Sequence, residues 1–293
     1  IRKLKEDGLM ATEVMYSTYT QEDEAYMRSL AKRMGLAILV LGFSGSGKSA
    51  SLRNFKEDEL ALVNVNGKQL PFRTQFKSTI HTDNYGEIER FMKAQTAKSI
   101  AVDDSQYLMV NEFMRRAKET GYQKFTDIAK NFWELVRSVE MLPEDVIVYF
   151  LNHLDTGEDG RQKAKTIGKL LDEKITVEGM FTTVLKTVVV DGKYLFATQT
   201  DGTDTCKSPI GLFDSMYISN DLKLVDEALR TYYHLADEHI CSECGKTIMS
   251  DGKRTVQQII DGSMKNYGKQ LCMKCVLKRV KAAKSNEAES VSE

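Results

Sequence analysis

The sequence predicts an α/β fold: a mostly parallel, doubly wound sheet with an added antiparallel hairpin, followed by a small four-cysteine metal module. Three observations predict it. Short, continuous apolar runs alternate with amphipathic stretches. Two later β-type runs flank the pair Asp191-Gly192, and two C-x-x-C pairs lie near the C-terminal end. The 293 residues suffice for one large domain and a small appendage.

Four apolar runs with little alternation are typical of strands covered on both faces, as in a parallel sheet. They comprise residues 36–43, 60–65, 99–102 and 146–151. Apolar residues at helical spacing between Phe125 and Val139, with Pro143 as a stop, predict a helix before the last of these strands. The runs 183–190 and 193–200 are predicted to form a hairpin, because Asp-Gly suits a two-residue turn.

The chain divides into four predicted parts. Residues 1–34 are expected to form a helical segment that packs or offers an interaction surface, and residues 35–235 form the α/β core. Residues 236–283 form the cysteine module, and residues 284–293 are a polar, disordered tail. Within the core, the polar stretch 155–168 contains Gly157 and Gly160 and is predicted to be a mobile loop.

Composition limits the classes of function. The formal net charge is −1, so nucleic-acid binding requires a local basic patch. The longest apolar run is too short to cross a bilayer, and we expect no membrane partner. No apolar signal segment opens the chain, and because it starts at Ile1 we expect residues of the natural N-terminus to be missing. The cysteine layout favours metal binding in a reducing cytoplasm over a disulfide framework.

Residues 42–49 read Gly-Phe-Ser-Gly-Ser-Gly-Lys-Ser and fit the P-loop pattern G-x-x-x-x-G-K-[ST]. Such a loop curls so that backbone N–H groups converge on phosphates, and the positive end of a following helix is expected to assist. Lys48 is predicted to reach the β- and γ-phosphates and Ser49 to ligate Mg²⁺. A glycine-rich turn without a ligand is the alternative. The residues predicted to bind ATP are Gly42, Ser44, Gly45, Ser46, Gly47, Lys48, Ser49, Ala50 and Asp103.

The apolar run 99–102 ends in Asp103-Asp104. We expect Asp103 to hold Mg²⁺, through water or together with Ser49, as a Walker-B aspartate does. Asp104 is a candidate to position or deprotonate the attacking water, or else a helix N-cap. Asn152, with His153 after it, ends another strand and is either a γ-phosphate sensor or a satisfied polar group.

Two further residues have weaker assignments. Asp83 is an alternative catalytic carboxylate, or else a cap or surface residue. Lys207 is a candidate finger that reaches the phosphate of a neighbouring subunit, or else a solvated lysine.

Cys241 and Cys244 form one C-x-x-C pair, and Cys272 and Cys275 form another, with 27 residues between the pairs. Four thiolates complete a tetrahedral Zn²⁺ site, and metal binding is expected to supply the folding energy of so small a module. Redox dithiols are the rival interpretation, and His239 is an alternative ligand. A basic cluster near the last ligand is either a DNA-backbone patch or a solvated helix face: Lys274, Lys278, Arg279, Lys281 and Lys284.

With these motifs in order, the chain resembles the RecA-like ATPases of bacteriophages, including the RecA-related branch of phage single-strand annealing proteins. The resemblance spans residues 36–233 and includes the run Lys207-Ser-Pro-Ile-Gly-Leu-Phe-Asp before a final strand. The cysteine module is similar to zinc modules appended to some phage recombination proteins. The resemblance implies a RecA-like P-loop NTPase core, ATP hydrolysis, homo-oligomers or filaments, and the cytoplasm of a bacterial host.

The same resemblance implies action on single-stranded DNA together with a single-strand-binding protein. The loop 155–168 then corresponds to a mobile DNA-binding loop, with Arg161, Lys163 and Lys165 on phosphates. RecA-like enzymes usually carry a catalytic glutamate after the third strand, and none is identified in this sequence.

Three functions follow from these observations. The leading hypothesis is a DNA-dependent ATPase of recombination, annealing or replication. The second is a ring-forming P-loop motor or helicase loader that acts on a protein partner. The third is a nucleotide-dependent DNA-binding scaffold with little hydrolysis, which the missing glutamate favours. A small-molecule kinase is the least favoured, because the sequence lacks an arginine-rich lid.

Overall fold

The structure is a computed structural model that describes residues 34–235 and 239–280. The predicted N-terminal helical segment and C-terminal tail lie outside the described residues. Within the described part, the strands are β1 Leu36–Gly42, β2 Leu60–Asn64, β3 Ser78–Ile80, β4 Ser99–Asp103, β5 Ile147–Thr156, β6 Gln162–Ala164, β7 Thr183–Val190, β8 Lys193–Ala197 and β9 Tyr217–Ser219.

Among the described residues, four α-helices connect or cover these strands: α1 Tyr85–Lys93, α2 Gln106–Arg115, α3 Gln123–Ser138 and α4 Leu222–Tyr232. A further helix, α5 Val256–Tyr267, packs with the cysteines that follow the sheet in the chain. Residues 273–280 are also helical. Short 3₁₀ segments occur at Ser49–Leu52, Val139–Met141 and Val177–Met180, and a π-helical segment at Leu170–Ile175.

The strands form one sheet in the order β3-β2-β4-β5-β1-β7-β8-β9, and β6 pairs with β5. The pairs from β3 across to β7 are parallel, whereas β7–β8, β8–β9 and β5–β6 are antiparallel. The predicted mixed α/β fold with a mostly parallel sheet is therefore confirmed. Because β5 lies between β1 and β4, the carboxyl ends of these three strands meet at one edge of the sheet.

Both faces of the central strands are covered, as the continuous apolar runs predict. Leu39 and Leu41 of β1 pack in the cluster that contains α1, α2 and α3 side chains. Ile38 and Val40 of the same strand pack with Leu52 and α4 side chains on the opposite face. The alternation of side chains along β1 thus fills two cores, which makes β1 a rigid support for the loop that follows it.

Two local predictions are confirmed in detail. Helix α3 covers the predicted apolar repeat, and the hairpin of β7 and β8 turns at Asp191-Gly192. Both turn residues have positive φ, 50° for Asp191 and 73° for Gly192, as a type I′ turn requires.

The prediction of a mobile loop over residues 155–168 is wrong for residues 155–156 and 162–164, which belong to strands. Strand β5 continues to Thr156 and pairs with β6, with Thr156 opposite Gln162. The Gly157 N–H donates to the Arg161 carbonyl (2.8 Å), so a tight turn joins the two strands. Gly157 and Gly160 both lie in this turn, and Gly160 has a positive φ of 78°.

A buried carboxylate fixes α4 to the sheet. Asp226 accepts hydrogen bonds from the hydroxyls of Tyr149 (2.9 Å) and Ser99 (2.7 Å) and from Arg230 Nε (2.6 Å). Arg230 also donates to the Asp145 and Lys98 carbonyls, at 2.8 and 2.9 Å. Burial and the charge of Asp226 raise the pKa of the Tyr149 hydroxyl well above its ordinary value, so Tyr149 stays a neutral donor.

We predict that Asp226→Ala lowers the free energy of unfolding by about 3–5 kcal/mol, because it leaves the guanidinium of Arg230 buried without its counter-charge. Urea unfolding measures this loss. Lys130→Ala is the control: it removes an exposed ion pair with Glu134 and is expected to change stability by less than about 0.5 kcal/mol. Equal effects of the two variants would contradict the role given to Asp226.

Candidate functional site

A glycine-rich loop, residues 42–49, links β1 to the 3₁₀ segment Ser49–Leu52. A Cβ atom built on Gly42 would lie 1.9 Å from Thr187 Oγ1 and 2.6 Å from Ser46 Oγ, so only glycine fits there. Gly45 and Gly47 have φ of 76° and 101°, a backbone region that favours glycine. The motif glycines are therefore required by the geometry of the turn.

The loop is fastened to β7. Ser46 Oγ lies 2.5 Å from Thr187 Oγ1 and donates to the Phe43 carbonyl at 2.6 Å. Because Ser46 uses its one proton on Phe43, Thr187 Oγ1 donates to Ser46 Oγ, and Thr187 Oγ1 also lies 3.2 Å from the Leu41 carbonyl of β1. These bonds hold the loop folded over the end of its own strand.

Lys48 turns back over the loop. Its Nζ donates to the carbonyls of Gly42 and Phe43, both at 2.9 Å, and the residue is 6 % exposed. Burial lowers the pKa of Lys48, and the charges of Asp104 and Asp103 oppose this effect. An ammonium has three N–H donors, so one remains for an anion above the loop.

The α-helix expected directly after the loop does not form. The chain makes only the four-residue 3₁₀ segment, since polar side chains bond locally: Ser51 Oγ donates to the Lys48 carbonyl (2.5 Å). A little further along the chain, Asn54 Nδ2 donates to Asp221 Oδ2 at 2.6 Å. If this loop binds an anion, the donors would be its N–H groups and Lys48, with little contribution from a helix dipole.

Strand β4 brings Asp103 to the loop. Ser49 Oγ donates to Asp103 Oδ1 at 2.9 Å. Burial, followed by the charge of Asp104, raises the pKa of Asp103 to about 6, although the hydrogen bond from Ser49 lowers it. The hydroxyl and carboxylate that were predicted to ligate Mg²⁺ are therefore in direct contact, on residues 54 positions apart.

Asp104 adopts a left-handed backbone with φ of 57°, which is uncommon for a residue with a side chain. Its Oδ2 accepts from Asn66 Nδ2 (2.9 Å) and Lys68 Nζ (2.8 Å), and Oδ1 lies 3.3 Å from His153 Nε2. Burial opposes ionisation, but the hydrogen bonds from His153, Lys68 and Asn66 outweigh it and hold the pKa of Asp104 well below its ordinary value. Its carboxylate therefore stays ionised and is a weak base.

The alternative assignment of Asp104 as an N-cap does not match its contacts. Ser105 occupies the cap position of α2. The Asp104 carboxylate faces Asn66, Lys68 and His153 instead.

Asn66 and Lys68 were missed by sequence reasoning. They follow β2, which pairs in parallel with β4 so that Asn64 lies opposite Asp103. A sequence signal for them exists: they are polar residues just after β2, and β2 is the neighbour of the strand that ends in Asp103.

Asn152 and His153 lie at the same edge but differ in their surroundings. Asn152 is 1 % exposed; its Nδ2 donates to the carbonyls of His153 and Lys165, and its Oδ1 accepts from Ser105 Oγ. His153 lies opposite Gly42 in the β1–β5 register and faces Asp104. The amide of Asn152 is engaged within the protein, and its assignment as a γ-phosphate sensor stays a prediction.

The two weaker candidates make other contacts within the chain. Asp83 forms an ion pair with Arg115. Lys207 forms a backbone bridge with Val184, and its assignment as a finger that reaches a neighbouring subunit stays a prediction.

The basic residues of the β5–β6 hairpin have acidic or carbonyl partners. Lys163 Nζ lies 2.6 Å from Asp172, and Lys165 Nζ lies 3.8 Å from Asp155. Arg161 Nε donates to the Asp204 carbonyl (3.2 Å). The charges of Lys163 and Lys165 are therefore partly neutralised within the chain, whereas Arg161 has a backbone partner.

Cys241, Cys244, Cys272 and Cys275 converge, with all four Sγ atoms within 4.8 Å of one another. Cys244 Sγ lies 3.7 Å from Cys272 Sγ. An ideal tetrahedral site with Zn–S bonds of about 2.3 Å has S–S edges of about 3.8 Å, so the cluster fits a metal such as zinc. With four protein ligands it is closed, as structural sites are. His239 is not part of this cluster.

Cys241 and Cys275 are buried in a small core with Ile248, Ile259 and Leu271, Cys272 packs against it, and Cys244 is exposed. Burial opposes ionisation of Cys241, but backbone N–H groups, those of Cys272 and Glu243 first, lower its pKa to about 6. Such donors stabilise a thiolate, the form that ligates a metal.

No protein-family model matches this sequence, and a comparison with curated proteins finds no significant match. Among residues 34–235 and 239–280, none of the helices has the length and apolar character needed to cross a membrane.

We predict opposite pH dependences for two neighbouring variants. The pKa of Asp103 is raised in the folded state, so its ionisation costs stability as pH rises from about 4 to about 6. Asp103→Asn lacks this cost. Its free energy of unfolding should therefore rise relative to that of the wild type by up to about 3 kcal/mol between pH 4 and pH 7.

The pKa of Asp104 is lowered, so it contributes stability above about pH 4 that is lost as pH falls further. Asp104→Asn should be less stable than the wild type at pH 7, and the difference should shrink in acid. Urea unfolding over this pH range checks both. Parallel pH curves for the two variants would contradict the electrostatics described here.

We further predict one tightly bound zinc per chain. Cys272→Ser should lower the zinc content at least several-fold and unfold residues 239–280, because metal binding supplies folding energy to so small a core. Metal analysis and amide hydrogen exchange measure the two effects. Cys206→Ala is the control, since Cys206 is buried in the core outside the cluster; equal zinc loss in both variants would refute the assignment.

Proposed function

We propose that the chain has a RecA-like P-loop core that binds ATP with Mg²⁺ at the glycine-rich loop and hydrolyses it slowly, and that it acts on single-stranded DNA. The observation that carries the nucleotide assignment is the contact between Ser49 and Asp103. It joins the end of the loop to the end of β4 and places a hydroxyl and a carboxylate beside the buried ammonium of Lys48. This is the donor set that a magnesium–triphosphate complex needs.

Each group has a role in binding. Backbone N–H groups of the loop and the free N–H of Lys48 hold phosphate oxygens, and Thr187 and Ser46 keep the loop in shape. Ser49 and Asp103 are the oxygen ligands for Mg²⁺, which neutralises charge on the β- and γ-phosphates when bound. The strand order, with β5 between the loop strand and β4, supports a RecA-like arrangement.

Asp104 is the best-placed group for hydrolysis. Its carboxylate lies next to the proposed Mg²⁺ site and is oriented by Asn66, Lys68 and His153. Because its pKa is low, it accepts a hydrogen bond from water and positions that water, but removes a proton poorly. We therefore expect turnover to be slow.

Action on DNA in phage recombination, annealing or replication rests on the resemblance and on one surface feature. Lys274 and Lys278 are exposed and four residues apart in the helical stretch 273–280, so they share a face that suits a phosphate backbone. Arg279 is paired with Glu243, and Lys281 and Lys284 lie outside the described residues. The zinc module is therefore the favoured DNA contact, and the ion-paired β5–β6 hairpin is less favoured.

The remaining assignments follow from the resemblance: homo-oligomers, cooperation with a single-strand-binding protein, and the cytoplasm of a bacterial host. Free thiols at the zinc cluster are compatible with a reducing compartment.

One observation favours a second candidate, a nucleotide-dependent DNA-binding scaffold with very little hydrolysis. Every described contact of the Asp104 carboxylate stabilises its ionised form, which weakens it as a base. The scaffold shares the nucleotide and DNA sites and differs from the leading proposal only in turnover.

We predict that the zinc-loaded protein hydrolyses ATP, that single-stranded DNA accelerates it, and that Lys48→Ala lowers the rate at least about 100-fold by removing the charge at the phosphates. Steady-state phosphate release with and without DNA is the measurement. Lys56→Ala is the control, because Lys56 is an exposed lysine that pairs with Glu59.

The outcomes separate the candidates. DNA stimulation that vanishes in Lys48→Ala supports the DNA-dependent ATPase. Activity indifferent to DNA points to a motor or helicase loader that acts on a protein. Nucleotide-strengthened DNA binding without turnover supports the scaffold, and nucleotide binding unaffected by Lys48→Ala overturns the site.

A further inference from the structure

Two side chains from the antiparallel end of the sheet touch the glycine-rich loop on the side away from Asp103. A Cβ atom built on Gly47 would lie 2.9 Å from Tyr194 Cδ1 and 3.1 Å from Asn220 Oδ1. Tyr194 belongs to β8, and Asn220 follows β9 directly. The loop is thus bordered by acidic strand ends on one side and by an aromatic ring and an amide on the other.

The amide of Asn220 has no hydrogen-bond partner among the described residues. The residue is 2 % exposed, and both Oδ1 and Nδ2 are buried and unpaired. Its backbone is fixed, because its N–H donates to the Tyr194 carbonyl (3.3 Å) and its carbonyl accepts from Arg53 Nη1 (2.7 Å). A buried polar group without a hydrogen-bond partner lowers stability, so the stability of the protein alone does not account for this amide.

Tyr194 is a large apolar side chain that stays half exposed (51 %) beside the loop. Strand pairing with Val189 on β7 fixes its backbone. An exposed aromatic ring on a rigid strand is a suitable stacking surface for a planar ligand group.

The direction of the triphosphate connects these observations. If Ser49 and Asp103 hold the Mg²⁺ of a bound triphosphate, the terminal phosphates would lie on the β4 side of β1. The nucleoside end would then lie on the side of β7, β8 and β9. Tyr194 and Asn220 are on that side of the loop.

We propose that Tyr194 and Asn220 form the nucleoside subsite of this chain. The Tyr194 ring stacks on the base, and a purine stacks better than a pyrimidine because its ring area is larger. Asn220 hydrogen-bonds the sugar or the base edge: its amide offers a donor and an acceptor, which a nucleoside satisfies, whereas a phosphate only accepts. The subsite exists only if the loop binds a triphosphate, so it rests on the proposed function.

The test compares two ligands by calorimetry with Mg²⁺ and the full-length, zinc-loaded protein: a non-hydrolysable ATP analogue and inorganic tripolyphosphate. Tyr194→Leu should weaken the analogue at least tenfold and change tripolyphosphate less than twofold. Tyr194→Phe keeps the ring and should stay within threefold of the wild type for both ligands.

Asn220→Leu should weaken the analogue at least fivefold, leave tripolyphosphate unchanged, and leave the melting temperature without nucleotide equal or higher, because an unpaired buried amide is removed. The subsite is overturned if Tyr194→Leu and Asn220→Leu bind the analogue as tightly as the wild type does. It is also overturned if the variants lose affinity equally for the analogue and for tripolyphosphate. Wild-type protein that binds tripolyphosphate as tightly as the analogue also overturns it, whereas failure of both ligands to bind overturns the function proposed above.

Discussion

The site depends on one constraint: Gly42, where β1 ends between β5 and β7, has no room for a side chain. A Cβ atom there would overlap Thr187 Oγ1 at 1.9 Å. Because the backbone comes this close to β7, Ser46 can bond Thr187, and Lys48 can turn back to the Gly42 carbonyl. The loop is therefore shaped by sheet packing, with little support from the short 3₁₀ segment that follows it.

The same edge of the sheet concentrates features that reduce stability. Lys48 and Asp103 are buried charges with shifted pKa values, and Asp104 has a left-handed backbone. On the other side of the loop, Asn220 buries an unpaired amide. Buried charge and backbone strain are usual where a site is organised for a ligand, and elsewhere the core compensates with networks such as that of Asp226.

The sequence predicted what local pattern controls and missed what distant contacts control. The apolar runs of β1 and β4, helix α3 and the Asp191-Gly192 turn follow from residue type and spacing. Strand β3 was not predicted, because Ser78–Ile80 has a single strongly apolar residue and becomes a strand by pairing with β2. Helix α1 was not predicted either. The contacts of Asp104 were not predicted from local pattern, because strand order brings Asn66, Lys68 and His153 together from distant positions.

The contact between Ser49 and Asp103 gives the central claim its most direct test: the effect of Mg²⁺ on binding of a non-hydrolysable ATP analogue to the wild type and to Ser49→Ala, measured by calorimetry. If these two groups ligate Mg²⁺, the ion should tighten binding to the wild type by at least tenfold and have much less effect on the variant. Equal affinities for the wild type with and without Mg²⁺, or the same Mg²⁺ effect in Ser49→Ala, would contradict a magnesium–nucleotide site at this loop.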